Sequence, residues 1–154
     1  ARLPQLVERA GPGAEGPGSI TAFYTVLTDD EHANDPVAES ARAILDGHII
    51  LSRRLAEGGQ FPAIDIEASV SRAMTQITHR EQLEQARQFR RWYSLYQHNR
   101  DLLAVGAYQP GSNPELDAAV AVFPKLNEFL RQDMHEKVSM EDSLRALAQA
   151  TNGT

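Results

Sequence analysis

The second half of the chain carries apolar residues at helical spacing. From about residue 79 they recur at intervals of three, four and seven residues, which predicts one buried stripe of a long helix. The stripe consists of Phe89, Tyr93, Tyr96, Leu103 and Ala107. An aromatic run is also compatible with a stacking platform for a cofactor or a single strand, but the helical spacing favours a packed core.

A second helix is predicted after the long one. Asn113 or the serine before it caps this helix, and Pro114 occupies its first position. Its apolar face consists of Leu116, Ala119, Val120, Phe123, Leu126 and Phe129. Pro124 is expected to kink or divide the helix, because proline removes a backbone donor and its ring clashes with the preceding turn.

A third helix is predicted near the end of the chain. Ser139 and Asp142 have the spacing of a capping box, with aspartate in the place of the usual glutamate or glutamine. Leu144 and Leu147 form the apolar side of this helix. Residues 76–154 therefore predict an all-helical domain.

The first half of the chain mixes predicted strands and helices. Residues 2–10 and 37–47 have helical spacing, each followed or ended by a glycine. Residues 19–27 are β-branched and aromatic without strict alternation, which predicts a strand buried on both faces of a parallel sheet. Residues 48–51 predict another buried strand and residues 52–58 a helical turn. The alternation of strands and helices indicates an α/β fold with a parallel sheet.

The segment from Phe61 to Arg72 is predicted to be an extended connector. Its alternation of apolar and acidic residues is too short and irregular for a strand. Pro62 favours an extended conformation for Phe61, which directs the ring outward. An exposed aromatic ring stacks on bases and a guanidinium binds phosphate in a fork geometry. The alternative is a core phenylalanine and a surface arginine.

Two loops in the first half invite a ligand-binding interpretation. Residues 11–18 contain G-x-G-x-x-G, but the motif follows a helix and precedes a strand, the reverse of a dinucleotide fingerprint, so a surface loop is expected. Residues 28–36 combine aspartate, glutamate and histidine. These lack the spacing of a calcium loop, which favours a solvated loop over a metal site.

Composition narrows the class of protein. The chain has 154 residues, of which 42% are hydrophobic and 23% charged, as in globular proteins. Its net charge of -6 argues against a nucleic-acid binder. It has no apolar run near the ~20 residues of a membrane span and no signal-peptide pattern, so a cytoplasmic location is expected. The absence of cysteine excludes thiolate and disulfide chemistry.

No catalytic motif of an independent enzyme is present in the sequence. The five histidines are scattered without metal-binding spacing, so no metal ligands are predicted. There is no G-x-S-x-G elbow and no G-x-x-x-x-G-K-[ST] phosphate loop. We therefore expect this chain to contribute residues to a site without completing one, and expect Ala1 to mark a fragment boundary.

Two blocks of sequence resemble the flagellar type III export ATPases, relatives of the catalytic subunits of rotary ATP synthases. The first comprises residues 43–53 and 61–72, and the second comprises residues 99–108 with Gly111 and 113–117. The similarity extends over essentially the whole chain. It implies the C-terminal part of a RecA-like parallel-sheet ATPase domain over residues 1–75, followed by a small helical domain over residues 76–154.

The resemblance also implies roles for three side chains. Arg72, which ends the Ser-Val-Ser-Arg run, matches an arginine finger donated across a subunit boundary. Phe61 matches an aromatic residue that stacks on adenine, and Tyr108 lies near the position of a second aromatic wall. The hypothesis is that adenine sits between these two rings. An ion pair of Arg72 with Asp65 or Glu67 is the structural alternative.

The implied cofactors are ATP and Mg²⁺, with most ligands outside this chain. The implied assembly is a homohexameric ring that contacts a stator-like export regulator, a coiled-coil stalk protein, the export gate and chaperone–substrate complexes. Asp29, Asp30 and Asp35 would face the pore and the stalk. The complete protein would be a protein-secreting ATPase in the cytoplasm, peripheral to the inner membrane, whereas this chain alone is expected to be inactive.

Two alternative functions are also compatible with the sequence. One is the export ATPase of an injectisome, which shares the chemistry but exports virulence proteins. The other is a nucleotide-independent interaction module that binds a partner through the acidic loop and the helices after Pro114.

Overall fold

The computed structural model describes residues 3–13, 18–28 and 35–151. They form two compact units, residues 1–48 and 49–154. The first unit contains α1 (Leu3–Val7), β1 (Gly11–Pro12), β2 (Ser19–Ile20) and α2 (Pro36–Ile44). Strand β3 (Gly47–Leu51) begins at the end of the first unit and continues into the second. The second unit continues with α3 (Arg53–Glu57), β4 (Ile64–Ser71), α4 (Met74–Ile77), α5 (Arg80–Ala104), α6 (Pro114–Phe129) and α7 (Met140–Thr151).

The glycine-rich segment of the first unit belongs to a short hairpin. Strands β1 and β2 pair antiparallel, with Gly11 opposite Ile20 and Pro12 opposite Ser19. The amide of Gly13 donates a hydrogen bond to the carbonyl of Gly18 at 2.7 Å. The G-x-G-x-x-G motif thus follows helix α1, and its first two residues form strand β1. Its residues 14–16 lie outside the described part of the chain.

The prediction of a buried strand over residues 19–27 is wrong in both the length and the burial of the strand. Strand β2 covers only Ser19–Ile20, and the side chains of Phe23 and Leu27 are 88% and 90% exposed. Apolar and β-branched residues favour an extended chain, but a strand also needs a hydrogen-bonded neighbour. In the described part of this unit, the pairing that β2 makes is the short one with β1.

The segment predicted as a connector is instead strand β4, which pairs with β3. The amide of Ser52, just after β3, donates to the carbonyl of Ala63, just before β4, at 2.8 Å. The end of β3 therefore lies beside the start of β4. Strand β3 was predicted to be buried, but Ile49 and Leu51 are exposed, so this prediction is also wrong.

The core of the second unit lies among α5, α6 and α7. Its buried cluster consists of Phe89, Tyr93, Val122, Leu126 and Ala150, packed against Ile66, Trp92, Phe123, Phe129, Leu130 and Leu147. The ring of Tyr96 stacks on Phe123 with centroids 3.5 Å apart. The first three residues of the predicted stripe thus pack in the core. Leu103 is only partly buried and is not part of this cluster, and Ala107 lies beyond the end of α5 at Ala104.

The caps of the last two helices are those that the sequence predicts. The side chain of Asn113 accepts hydrogen bonds from the amides of Glu115 and Leu116 at 3.1 and 3.2 Å, and Pro114 is the first residue of α6. The hydroxyl of Ser139 accepts from the amide of Asp142 at 3.0 Å. Pro124 does not divide α6, which continues to Phe129.

None of the helices in the described part of the chain is both long and apolar enough to cross a membrane.

Candidate nucleotide site

Strand β4 folds back on itself over residues 65–69, and we call this segment the β4 bulge. The hydroxyl of Ser69 donates to the carbonyl of Asp65 at 2.5 Å, although four residues of extended strand would span about 13 Å. The carboxylate of Asp65 accepts from the amides of Glu67 and Ala68 at 2.9 and 3.0 Å. Aspartate favours such local turns because its side chain bonds to nearby backbone amides.

The β4 bulge is attached to strand β3 and to the helical core. The amide of Ile50 in β3 donates to the hydroxyl of Ser69 at 3.0 Å. The side chain of Ile66 packs against the core cluster, and the guanidinium of Arg90 in α5 donates to the carbonyl of Glu67. The bulge is therefore held from three directions: by its own aspartate, by β3 and by α5.

The electrostatics of the buried Tyr93 reflect the same arrangement. Burial raises the pKa of the Tyr93 hydroxyl, a hydrogen bond with Gln97 lowers it, and the carboxylates of Glu67 and Asp65 raise it further. Negative charge near a phenol disfavours the phenolate. The acidic side chains of the β4 bulge therefore act on the hydroxyl of a core residue of α5.

Arg72 lies directly after β4, whose last residue is Ser71. Its side chain is exposed. The structural alternative, an ion pair of Arg72 with Asp65 or Glu67, stays a prediction. One oxygen of the Asp65 carboxylate accepts from two backbone amides of the bulge. An exposed guanidinium at the end of an anchored strand is suited to contact an anionic group outside this chain.

Phe61 lies in the turn before β4, and its side chain is 58% exposed. The peptide bond between Phe61 and Pro62 is cis. The carbonyl of Phe61 accepts a hydrogen bond from the amide of Gln132, just beyond α6, at 3.0 Å. The aromatic ring is thus presented at the surface, as predicted for a stacking residue, and its backbone is tied to the segment after α6.

A groove of about 700 Å³ begins at the residue after Phe61. Its lining includes Pro62 and Ile64 from the β4 side, Phe129 and Gln132 from the end of α6, and Ala146 and Ala150 from α7. This volume is in the range of small-molecule sites. Charged side chains from the end of α6 and the segment after it also line the groove: Lys125, Glu128, Arg131 and Glu136. The groove therefore combines apolar walls with groups that can contact a polar ligand.

Tyr108 is engaged at the opposite end of α6. Its hydroxyl donates to Oδ1 of Asp117, at 2.8 Å, and lies 3.1 Å from the carbonyl oxygen of Asn113. Burial, followed by the hydrogen bond with Asp117, raises the pKa of Tyr108. From Asp117 to Phe129 the helix rises about 18 Å, and Phe61 is tied to Gln132 beyond that end. Tyr108 and Phe61 of one chain are therefore not placed to hold one adenine ring between them.

The predicted pore-facing residues are described only in part. Asp29 and Asp30 lie outside the described residues. Asp35 is the N-cap of α2, and its carboxylate accepts from the amides of Val37 and Ala38 at 2.7 and 3.4 Å. Asp35 thus has a structural role in starting this helix.

Residues 131–136 are the part of the candidate site that the sequence did not reveal. They come directly after α6, they are exposed, and they include Gln132, which bonds to Phe61, and Met134, whose side chain is 87% exposed. The available signal in the sequence was a methionine in a polar segment between two predicted helices, because methionine is frequent at adaptable binding surfaces. That signal does not indicate proximity to Phe61, which depends on the fold.

Comparison with known proteins identifies the class to which this fold belongs. The family described as "ATP synthase alpha/beta family, nucleotide-binding domain" matches residues 1–71. The family described as "T3SS EscN ATPase C-terminal domain" matches residues 78–149. A segment that matches the nucleotide-binding domain of the ATP synthase family thus precedes a segment that matches the C-terminal domain of type III secretion ATPases.

Named relatives extend this result. The chain is 58% identical over 147 residues to the flagellum-specific ATP synthase of Salmonella typhimurium, covering 96% of this chain and 32% of that protein. It is 47% identical over 150 residues to the type 3 secretion system ATPase of Pseudomonas savastanoi pv. phaseolicola, covering 97% of this chain and 33% of that protein. The chain therefore spans about a third of the length of the curated relatives that it matches.

Solved structures give the same result. The assembled ATPase EscN from the type III secretion system of enteropathogenic E. coli matches with a TM-score of 0.91 and 40% identity, over 97% of this chain and 36% of that one. EscN in complex with its central stalk EscO matches with a TM-score of 0.86 and 38% identity, over 97% of this chain and 35% of that one.

The chain belongs to the family of type III export ATPases, which the flagellar and injectisome enzymes share. The predicted fold class, an α/β part of a RecA-like ATPase domain joined to a small helical domain, is confirmed. The predicted domain boundary near residue 75 stays a prediction.

Proposed function

We propose that this chain is part of the ATPase that couples ATP hydrolysis to type III export of flagellar proteins. Within that enzyme it provides a trans-acting arginine and one side of the nucleobase site. The observation that carries the proposal is the position of Arg72, exposed and directly after a strand that is anchored to both β3 and α5. The guanidinium thus extends from an anchored strand, and in this proposal it reaches the nucleotide of a neighbouring subunit.

Arg72 acts on the phosphate end of a neighbour's nucleotide. Phosphoryl transfer spreads negative charge over the transferred group, and a guanidinium held at that position stabilises the transition state more than the ground state. Arginine fingers in related chemistry contribute on the order of 10³–10⁵ in rate. Because the finger reaches another subunit, turnover depends on assembly, whereas nucleotide binding by a single subunit does not.

Phe61 acts on the base end of the nucleotide bound by its own subunit. Its exposed ring stacks on adenine, and residues 131–136 form the opposite boundary in place of Tyr108, because the backbone of Gln132 lies against Phe61. The groove that begins at Pro62 gives room for a planar group. Stacking is worth about 1–3 kcal/mol per base and discriminates poorly among bases.

ATP fits the residues of this chain at its two ends, since an aromatic ring is available for the base and a guanidinium for the phosphates. Mg²⁺, when bound, would neutralise phosphate charge, and we assign it no ligand in this chain. The phosphate-binding loop belongs to the rest of the enzyme in this proposal. We therefore expect the 154-residue chain alone to be inactive.

The proposed assembly is a homohexameric ring in the cytoplasm, associated peripherally with the export apparatus at the inner membrane. Two observations support a ring with a stalk: EscN has been solved as an assembled ATPase and in complex with its central stalk EscO. Contact of the acidic loop, including Asp29, Asp30 and Asp35, with a stalk protein remains part of this proposal. So do an export regulator, the export gate and chaperone–substrate complexes as partners.

The export ATPase of an injectisome is the second candidate, and the 47% identity to the secretion ATPase of Pseudomonas savastanoi favours it. Complementation separates the two. The full-length protein would be expressed in a motile strain that lacks its flagellar export ATPase and, in parallel, in a strain that lacks its injectisome ATPase. We expect swimming to be restored and effector secretion not to be; the opposite pattern would replace the flagellar assignment with the injectisome one.

A further inference from the structure

We propose that Arg90 is a positioning residue for Arg72: its bond to the β4 bulge fixes the direction in which the strand leaves toward the arginine finger. This inference rests on the proposed function of Arg72. It adds a residue of the helical part of the chain to the determinants of catalysis in the nucleotide-binding part.

The geometry starts from the carbonyl of Glu67, to which the guanidinium of Arg90 donates. Glu67 is in the middle of the β4 bulge, where the hydroxyl of Ser69 bonds back to the carbonyl of Asp65. A bulge bends a strand and redirects the residues after it. The five residues from Glu67 to Arg72 span at most about 17 Å, so a small rotation at Glu67 becomes a displacement at Arg72.

Four further contacts hold the bulge at other atoms. The carboxylate of Asp65 holds amides of the turn, and the hydroxyl of Ser69 closes it internally. The same hydroxyl accepts from the amide of Ile50 in β3, and Ile66 anchors one side chain in the core. None of these four contacts engages the carbonyl of Glu67. The guanidinium of Arg90 does, because a charged donor on a rigid helix binds the carbonyl in one direction. Helix α5 supports Arg90 through its packing against α6 and α7.

Arg90 is exposed, so its role is not explained by filling the core. The neighbouring Arg91 points to a different element, since it forms an ion pair with Glu115 of α6. Two adjacent arginines of α5 thus serve different contacts. Arg87, one turn earlier on the same helix, offers a matched control.

The test compares steady-state ATP hydrolysis by the full-length enzyme and its variants Arg90→Gln, Arg72→Ala, the double variant and Arg87→Gln. We expect Arg90→Gln to lower kcat by about tenfold to a hundredfold, the range that misplacement of a catalytic group produces, with KM for ATP unchanged. Arg87→Gln should match the wild type. The double variant should have the kcat of Arg72→Ala alone, because Arg90 then has nothing left to position.

If the losses in kcat of the two single variants multiply in the double variant, or if kcat of Arg90→Gln is unchanged, the positioning role of Arg90 is overturned. The finger role of Arg72 is not affected by either result. A wild-type kcat for Arg72→Ala would instead overturn the proposed function.

Arg90→Lys keeps the proposal testable if the glutamine variant does not fold. Lysine retains a charged donor for a single carbonyl acceptor, so we expect it to recover most of the turnover. A lysine variant that folds and assembles normally but loses as much kcat as Arg72→Ala would contradict a role through the carbonyl of Glu67.

Discussion

The hydroxyl of Tyr108 lies 2.8 Å from one carboxylate oxygen of Asp117, and the other oxygen of Asp117 accepts a hydrogen bond from the amide of Gly111 at 2.8 Å. One carboxylate at the start of α6 therefore closes the turn between α5 and α6 twice. The turn needs such closure because Gly106 and Gly111 adopt positive φ values of 67° and 87°, a conformation open to glycine and costly for other residues.

Tyr108→Phe should lower the thermal stability of the protein by a few degrees and leave KM for ATP in the full-length enzyme unchanged. The substitution removes the bond to Asp117 but keeps the ring, and a lost hydrogen bond in a tight turn weakens the folded state. Differential scanning calorimetry and steady-state kinetics measure the two quantities. A raised KM with unchanged stability would return Tyr108 to the nucleobase site.

The contact between Tyr108 and Asp117 also predicts that the protein loses stability at alkaline pH. The pKa of Tyr108 is raised, first by burial and then by its bond to Asp117, so the folded state keeps the proton at a pH where the unfolded chain begins to release it. Its contribution is present below the ordinary tyrosine pKa of about 10 and is lost as the pH rises through the higher folded value. Tyrosinate absorbance should appear late in the wild type, and the stability of Tyr108→Phe should depend less steeply on pH. Equal slopes for the two proteins would contradict this.

Phe61→Ala should raise KM for ATP about tenfold, with a smaller effect on kcat. The alanine removes the stacking surface, worth about 1–3 kcal/mol, and this interaction is the same in the ground and transition states. Phe61→Tyr keeps an aromatic face and should remain close to the wild type. Kinetics of the full-length enzyme decide the matter, and a normal KM for the alanine variant would exclude stacking by Phe61.

Leu126→Ala should destabilise the helical core by about 2–5 kcal/mol, the usual cost of a buried cavity. Leu126 is fully buried among α5, α6 and α7. Urea unfolding monitored by the fluorescence of Trp92, the single tryptophan of the chain, gives the change. Leu102→Ala, at a partly exposed position of α5, is the control and should cost far less. Equal losses in the free energy of unfolding for the two variants would contradict the assignment of Leu126 to the core.

The sequence predicted those features that depend on local chemistry. The caps at Asn113 and Ser139 involve residues two or three positions away, and the aromatic stripe of α5 follows the helical period. These signals are contained in short segments, so they can be recognised without knowledge of the fold. The resemblance of the two sequence blocks added the family, which the comparisons confirm.

Features that depend on distant partners were not predictable in the same way. Residues 19–27 have strand composition, but the strand extends only as far as Ile20. Asp65 and Ser69 fold the strand after Phe61 into a bulge. The apolar alternation is irregular there, so the sequence pattern predicted a connector and not a strand. The contact of Gln132 with Phe61 joins segments that are far apart in the sequence, so it could not be predicted, and the family resemblance had indicated Tyr108 as the second wall instead.

The role of Arg72 is tested most directly by ATP hydrolysis and nucleotide binding of the full-length wild type and Arg72→Ala, under conditions in which the wild type assembles. We predict a loss of turnover on the order of 10³-fold or more, with nucleotide affinity retained by the isolated subunit and assembly unchanged. Arg72→Lys, which keeps the charge without the planar fork, should recover little. An assembled Arg72→Ala enzyme that hydrolyses ATP at the wild-type rate would contradict the role of Arg72 as an arginine finger.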